Sequence, residues 1–138
     1  MYDVIPVTSP KNYDCGATCL KMLLAYYGTD IPLEDLIREC NTRMIGSSAR
    51  DLRCVGKAHG LDIKIFQMDA EELIRQDRPA IIWWKYRHWC VFCGQDEAGK
   101  IVICNPDLGR YRMSAGLFTA FYTGVSLWNG EPHDLEPV

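Results

Sequence analysis

Two residues in this 138-residue chain join chemical reactivity to a position that can use it, Cys15 and His88. Cys15 stands where Asp14-Cys15-Gly16 leads into a helical pattern, so its sulfur lies near the positive end of a helix dipole and near unpaired backbone N–H groups. That setting favours the thiolate, the nucleophilic form of cysteine. Gly16 leaves room beside the sulfur for a scissile carbonyl, and the Cys15 N–H can donate to the oxyanion that forms there. His88 opens an apolar strand behind the polar rim Lys85-Tyr86-Arg87, and Asn105 ends the strand after it. A hairpin from His88 to Asn105 brings both to one edge of a sheet. An amide there holds one ring nitrogen of the imidazole and turns the other toward the thiol, as a general base and its orienting group require. Singly, each has a plainer reading: a semi-buried cysteine and a satisfied edge histidine.

Other reactive residues carry less. Cys90 and Cys93 have the spacing of a redox or zinc pair, but residues three apart on a strand point to opposite faces. Cys15 and Cys19 share a helix face one turn apart and could form a resolving pair under oxidation, with packing the stronger role for Cys19. His59 and His133 have no accompanying ligand cluster and read as surface histidines. Trp83, Trp84 and Trp89 with Tyr86 concentrate aromatic area beside His88, mainly as core, with Trp89 or Tyr86 available to wall a substrate groove. No metal and no cofactor is called for.

The elements that position these residues follow from periodicity and punctuation. Leu20, Leu23, Leu24 and Tyr27 place a buried helix over Cys15 to Tyr27, stopped at Gly28. Leu33, Leu36, Ile37 and Cys40 mark a second helix. Ser47 or Ser48 caps a third, running through Leu52 and Val55 to His59 before Gly60. Strands are expected over Asp62 to Met68, Ala80 to Tyr86, His88 to Gly94, Ile101 to Cys104, Arg110 to Met113 and Val125 to Trp128. Helices fill Asp69 to Arg75 and Ala115 to Tyr122. Helices first and mostly antiparallel strands afterwards make an α+β fold.

A chain of 15.8 kDa is one domain's worth of core, assigned to residues 1–129, with a loose tail over 130–138. Hydrophobic residues at 48% and charged residues at 24% fit a globular domain and exclude a disordered or fibrous one. A net charge of −3 without a basic stripe argues against nucleic acid as partner. No apolar run approaches the roughly 18 residues of a membrane span, and the first residues lack a signal-peptide pattern. Seven scattered cysteines suit reduced thiols, and the chain reads as cytoplasmic, with packaging in a phage particle as a second possibility.

Asp14-Cys15-Gly16-Ala17-Thr18-Cys19-Leu20, Met22 and Tyr26-Tyr27-Gly28 resemble the nucleophile helix of the bacteriocin-processing, double-glycine leader peptidases, a papain-like family. The likeness continues in order through Gly46-Ser47-Ser48 with Leu52, Ala58 with Gly60-Leu61, and Arg78-Pro79-Ala80-Ile81-Ile82. His88-Trp89-Cys90-Val91-Phe92 then resembles the histidine strand, Asn105-Pro106 with Gly109 the Asp-Pro turn, and Tyr122-Thr123-Gly124 the closing segment. The resemblance spans roughly Val4 to Trp128. It implies a papain-like fold with the nucleophile helix packed on an antiparallel sheet, and a triad of Cys15, His88 and Asn105.

Two departures bear on the chemistry. The family has Asp where this chain has Asn105; Asp107, two residues on, is the fallback orienting residue. The family places an oxyanion-hole Gln six residues before the cysteine, where Ser9 stands here, so Ser9, Asn12 or a backbone N–H must supply the second donor. The expected function is a thiol hydrolase cutting a peptide or protein substrate. The rival is a peptide-binding or structural domain, for example in a phage virion, that keeps the fold without cutting.

Overall fold

The computed structural model describes residues 1–40 and 46–130, with Asn12 described by its backbone alone. The tail assigned to 130–138 lies outside it except for Gly130, and His133 with it. Helices α1 (Cys15–Tyr26), α2 (Leu33–Glu39) and α3 (Ala49–Ala58) come first. The described strands are β1 (Ile63–Gln67), β2 (Ala80–Trp84), β3 (His88–Gln95), β4 (Ile101–Asn105), β5 (Gly109–Met113) and β6 (Tyr122–Asn129). Helix α4 (Ala70–Arg75) separates β1 from β2, and α5 (Ala115–Phe121) precedes β6. All strand pairs are antiparallel, in the order β1-β6-β2-β3-β4-β5. The α+β expectation holds.

Local chemistry explains the boundaries. Ser48, not Ser47, caps α3: its hydroxyl accepts from the Asp51 N–H, and the Asp51 carboxylate accepts from the Ser48 N–H. After α1 the chain turns through Gly28 at φ +92°, a left-handed conformation that costs glycine little. Tyr122, expected to end α5, instead begins β6. It pairs with Trp84, and its hydroxyl donates to the Met68 carbonyl at 2.8 Å, which ties the strand to the start of the α4 segment.

Both faces of the sheet are covered. Ile81, Trp89, Val91, Cys93, Val102, Cys104 and Leu127 face α1 to α3, against Cys19, Leu20, Leu23, Leu24 and Leu52. Ile82, Trp84, Cys90, Phe92, Ile103 and Trp128 face the other way, against Leu73 of α4 and Phe118 of α5. A strand buried on both faces needs apolar residues at every position, so β2, β3 and β4 read as unbroken apolar runs. Cys90 and Cys93 fall on opposite faces, as the strand alternation requires.

Gly16 has a different role from the one expected. It is buried, and a Cβ on it would lie 3.1 Å from Trp89 Cδ1, 3.3 Å from Leu52 Cδ2 and 3.3 Å from Ser47 Cβ. The missing side chain lets the start of α1 press against β3 and α3; it is not kept open for a substrate carbonyl. Gly16→Ala is therefore expected to destabilise the fold by about 1–2 kcal/mol, overpacking outweighing the helix propensity that alanine adds. Urea unfolding of the variant checks this, and an unchanged or raised midpoint would contradict it.

Candidate active site

Asn12–Asp14 form one 3-10 turn that runs straight into α1, so Cys15 is the first residue of the helix, its side chain almost wholly covered. The sulfur thus sits at the N-terminal end of α1, and α1 itself lies on β3, whose first residue is His88. The turn Lys85 to Arg87 joins β2 to β3, with Trp84 paired to His88 at its base. Tyr86 and Arg87 both take positive φ, +70° and +59°. Such a turn matches the twist of an antiparallel pair, at a cost of about 1–2 kcal/mol for each residue with a Cβ. It lets β3 begin at His88 and sets the imidazole at the rim of the sheet.

On β4, Cys104 pairs with Val91 of β3, which puts Asn105 at the same end of the ladder as His88. Asn105 Oδ1 lies 2.8 Å from His88 Nε2 and accepts from the Asp107 N–H at 2.8 Å; its Nδ2 donates to the Tyr111 hydroxyl at 3.2 Å. With both ends of the amide engaged, flipping it would break these contacts, so Nε2 carries the hydrogen toward Asn105 and the other ring nitrogen, Nδ1, is left for a second partner. The thiols of Cys15 and Cys90 also act on the imidazole. Burial opposes a charge on the imidazole, but the contacts with Cys15, Cys90 and Asn105 outweigh it and raise His88 to about 11. These surroundings therefore favour the imidazolium over the neutral ring.

The structure brings Cys15, His88 and Asn105 together and places the fallback, Asp107, beside them. Asp107 Oδ2 is 3.7 Å from His88 Nε2 on a half-exposed side chain, a longer contact than that of Asn105. Ser9 is otherwise engaged. Its hydroxyl donates to Thr18 Oγ1 at 2.9 Å, Thr18 donates to the Asp14 carbonyl, and the Ser9 N–H donates to the Pro106 carbonyl at 2.8 Å. Ser9 thus clamps the N-terminal segment to α1 and to the turn after Asn105, and neither its hydroxyl hydrogen nor its N–H is free for an oxyanion. The Asn12 side chain lies outside the described structure. Trp89 is core, its Nε1 donating to the Ser47 carbonyl at 3.0 Å, whereas Tyr86 is 87% exposed. His59 pairs with Glu39 at 2.9 Å, away from the site.

Three participants were not picked out in the sequence as part of the site. Cys90 could have been found, since it is two residues from His88 on one strand face. Tyr111 carried no signal, because its role depends on the β4–β5 turn; Pro106 was read as part of the turn after Asn105, but the bond from Ser9 to its carbonyl depends on where the N-terminal segment lies.

The model of the peptidase C39 family matches residues 4–132. The chain belongs to the peptidase C39 family. Among similar proteins, the lactococcin-G-processing and transport ATP-binding protein LagD of Lactococcus lactis is 28% identical over 90% of this chain. The mesentericin-Y105 transport/processing ATP-binding protein MesD of Leuconostoc mesenteroides is 31% identical over 88%. The chain spans 18% of the length of each of these transporters. A protein of Methanothermobacter thermautotrophicus, by contrast, is 24% identical over 96% of this chain and 92% of its own length. A solved structure, a double glycine motif protease from an AMS/PCAT transporter in complex with the leader peptide, superposes with a TM-score of 0.88 at 28% identity, covering 92% of this chain and 91% of that one. The peptidase domain of Streptococcus ComA, at 22% identity and a TM-score of 0.81, has the same fold. The fold is that of the papain-like C39 peptidase domains, and the family supports a cysteine peptidase-like function. Among the described residues, no helix of this chain is long and apolar enough to cross a membrane.

The raised His88 makes a prediction about stability. A histidine held at about 11 when folded and near 6.5 when unfolded contributes stability that is fully present below about 6.5 and is lost as pH rises through about 11. The difference in unfolding free energy between wild type and His88→Ala should therefore be largest at about pH 6 and shrink steadily toward about pH 10. Urea titrations at several pH values check this; a constant difference would contradict it.

Proposed function

We propose that the chain is a cysteine peptidase in which Cys15 is the nucleophile, His88 the proton carrier and Asn105 the group that holds His88. One observation carries the proposal: His88 Nε2 lies 2.8 Å from Asn105 Oδ1 while the Cys15 thiol, at the start of α1, acts on the same imidazole. Cys15 Sγ attacks the carbonyl carbon, and the charge that develops on the carbonyl oxygen faces the Cys15 N–H at the start of α1. The proton on His88 passes to the leaving amine as the C–N bond breaks, leaving a thioester on Cys15. A water then gives a proton to the now neutral His88 and attacks the thioester; the proton returns to sulfur or stays on His88 as the thiolate leaves. Throughout, Asn105 keeps the ring turned toward the sulfur.

For substrate we propose a separate peptide carrying a double-glycine leader, since the solved relative at 28% identity is a double glycine motif protease in complex with a leader peptide. Residues 1–129 act as the catalytic domain in this proposal. The engagement of Ser9 with Thr18 and Pro106 favours one rival, a domain that binds such peptides and releases them uncut. Loss of one oxyanion donor lowers turnover by about 10²- to 10³-fold, so slow cutting is the expected behaviour.

Iodoacetamide labelling of the reduced native protein, with a double-glycine leader peptide assayed in parallel, separates the two. Cys15 should label fastest of the seven cysteines near neutral pH, and His88→Ala should remove that advantage and all cleavage. Ser9→Gln should raise cleavage by about tenfold or more if the missing donor limits the rate. Equal labelling of Cys15 and Cys54 together with an intact peptide would leave the binding domain as the better account.

A further inference from the structure

Away from the triad, a second pair of reactive side chains meets inside the core. Cys93 of β3 and Cys104 of β4 are free thiols, both fully buried, with their sulfurs 3.4 Å apart. The β3–β4 register is irregular between Phe92 and Gln95, and Cys93 lies within that irregularity. By the Val91–Cys104 register Cys93 and Cys104 are diagonal neighbours, whose Cα atoms in a regular ladder are about 7–8 Å apart with side chains still within reach; here the sulfurs are in contact. Cys104 pairs across β4–β5 with Arg110. Donation from the Cys93 thiol and then the Arg110 guanidinium hold the Cys104 thiol below its ordinary range, against the effect of burial, while Cys93 is pushed up.

What covers the pair is a segment without regular secondary structure. The Tyr2 N–H donates to the Cys93 carbonyl at 2.8 Å, Cys104 Sγ lies 3.8 Å from the Val4 carbonyl oxygen, and Arg110 donates to that same oxygen. Lifting residues 1–5 would break these contacts and withdraw the fully buried Val4 from the core, a local opening that leaves every strand paired. On its other side the pair adjoins the site, because Cys104 is the residue before Asn105.

We propose that Cys93 and Cys104 form a peroxide-sensitive dithiol whose oxidation to a disulfide draws Asn105 off His88. The Cys104 thiolate attacks the peroxide O–O bond, taking one oxygen as sulfenic acid and releasing water. Cys93 sulfur then displaces that oxygen as a second water, so one peroxide and two thiols give one disulfide and two waters. A disulfide bond is about 2 Å long, so the sulfurs must close by more than about 1 Å, and the end of β4 moves with Cys104. His88 Nε2 and Asn105 Oδ1, 2.8 Å apart in the reduced protein, then separate. This control of catalysis rests on the peptidase reading above; the dithiol chemistry does not.

The test uses the full chain with Cys15→Ser, so that peroxide cannot act at the nucleophile. After hydrogen peroxide, denaturing alkylation and trypsin, tandem mass spectrometry should find residues 88–100 joined to residues 101–110 through Cys93 and Cys104, with Cys90 alkylated. Dithiothreitol should release them. In the same samples the NMR titration midpoint of His88 should fall by about one pH unit on oxidation, since the Asn105 contact that favours the imidazolium is lost. Cys93→Ala should abolish both the linkage and the shift. Alkylation of both Cys93 and Cys104, or a disulfide elsewhere, would overturn the dithiol; a linkage with His88 unmoved would overturn its control of the site. Neither readout involves peptide cleavage, so failure of the peptidase reading would show separately, in the labelling of reduced wild-type Cys15.

Discussion

The contact between His88 Nε2 and Asn105 Oδ1, 2.8 Å long and partly buried, is the hydrogen bond on which the geometry of the site rests. It depends on much of the fold. The left-handed turn at Tyr86 and Arg87 fixes where β3 starts; the β3–β4 register fixes which β4 residue reaches that end; Asp107 N–H and Tyr111 hold the amide the right way round. A slip of one residue in that register would turn Asn105 to the other face and leave His88 with only the longer contact to Asp107. The sheet thus aims the imidazole, and α1 supplies the thiol.

Burying the sheet on both faces is what makes the register secure. Residues such as Ile81 and Ile82, or Val91 and Phe92, enter opposite cores, so a slipped strand gains nothing by exchanging one apolar face for the other, while it breaks specific fits. Trp89 is one such fit: it meets Gly16, packs at a tilt against Trp83 with ring centroids 4.4 Å apart and reaches the Ser47 carbonyl. Through it the position of β3 next to His88 is tied to the start of α1 next to Cys15, and a substitution at Gly16 is felt at both.

The helices and most strands were legible because periodicity and caps are local. Ser48 and Asp69 each cap the helix that follows them, and both stand in the sequence as recognisable starts. Cys15, His88 and Asn105, the proposed triad, were singled out by type, spacing and family resemblance together. What was not legible depends on contacts remote in sequence. Insertion of β6 between β1 and β2 leaves no periodic mark, Gly16 looked like space for a substrate until Trp89 was placed against it, and the capture of Ser9 by Thr18 and Pro106 required the path of the N-terminal segment. The contact between Cys93 and Cys104 belongs to the same class.

The chemistry proposed for the site turns on surroundings that favour the charged form of His88 between a thiol and an amide. The direct measurement is the NMR titration of the His88 imidazole in the reduced wild-type protein. The ring is expected to stay protonated well above about pH 8, whereas an exposed histidine loses its proton near 6.5, and Asn105→Ala is expected to lower the midpoint. A His88 that titrates like an exposed histidine, unaffected by Asn105→Ala, would contradict this.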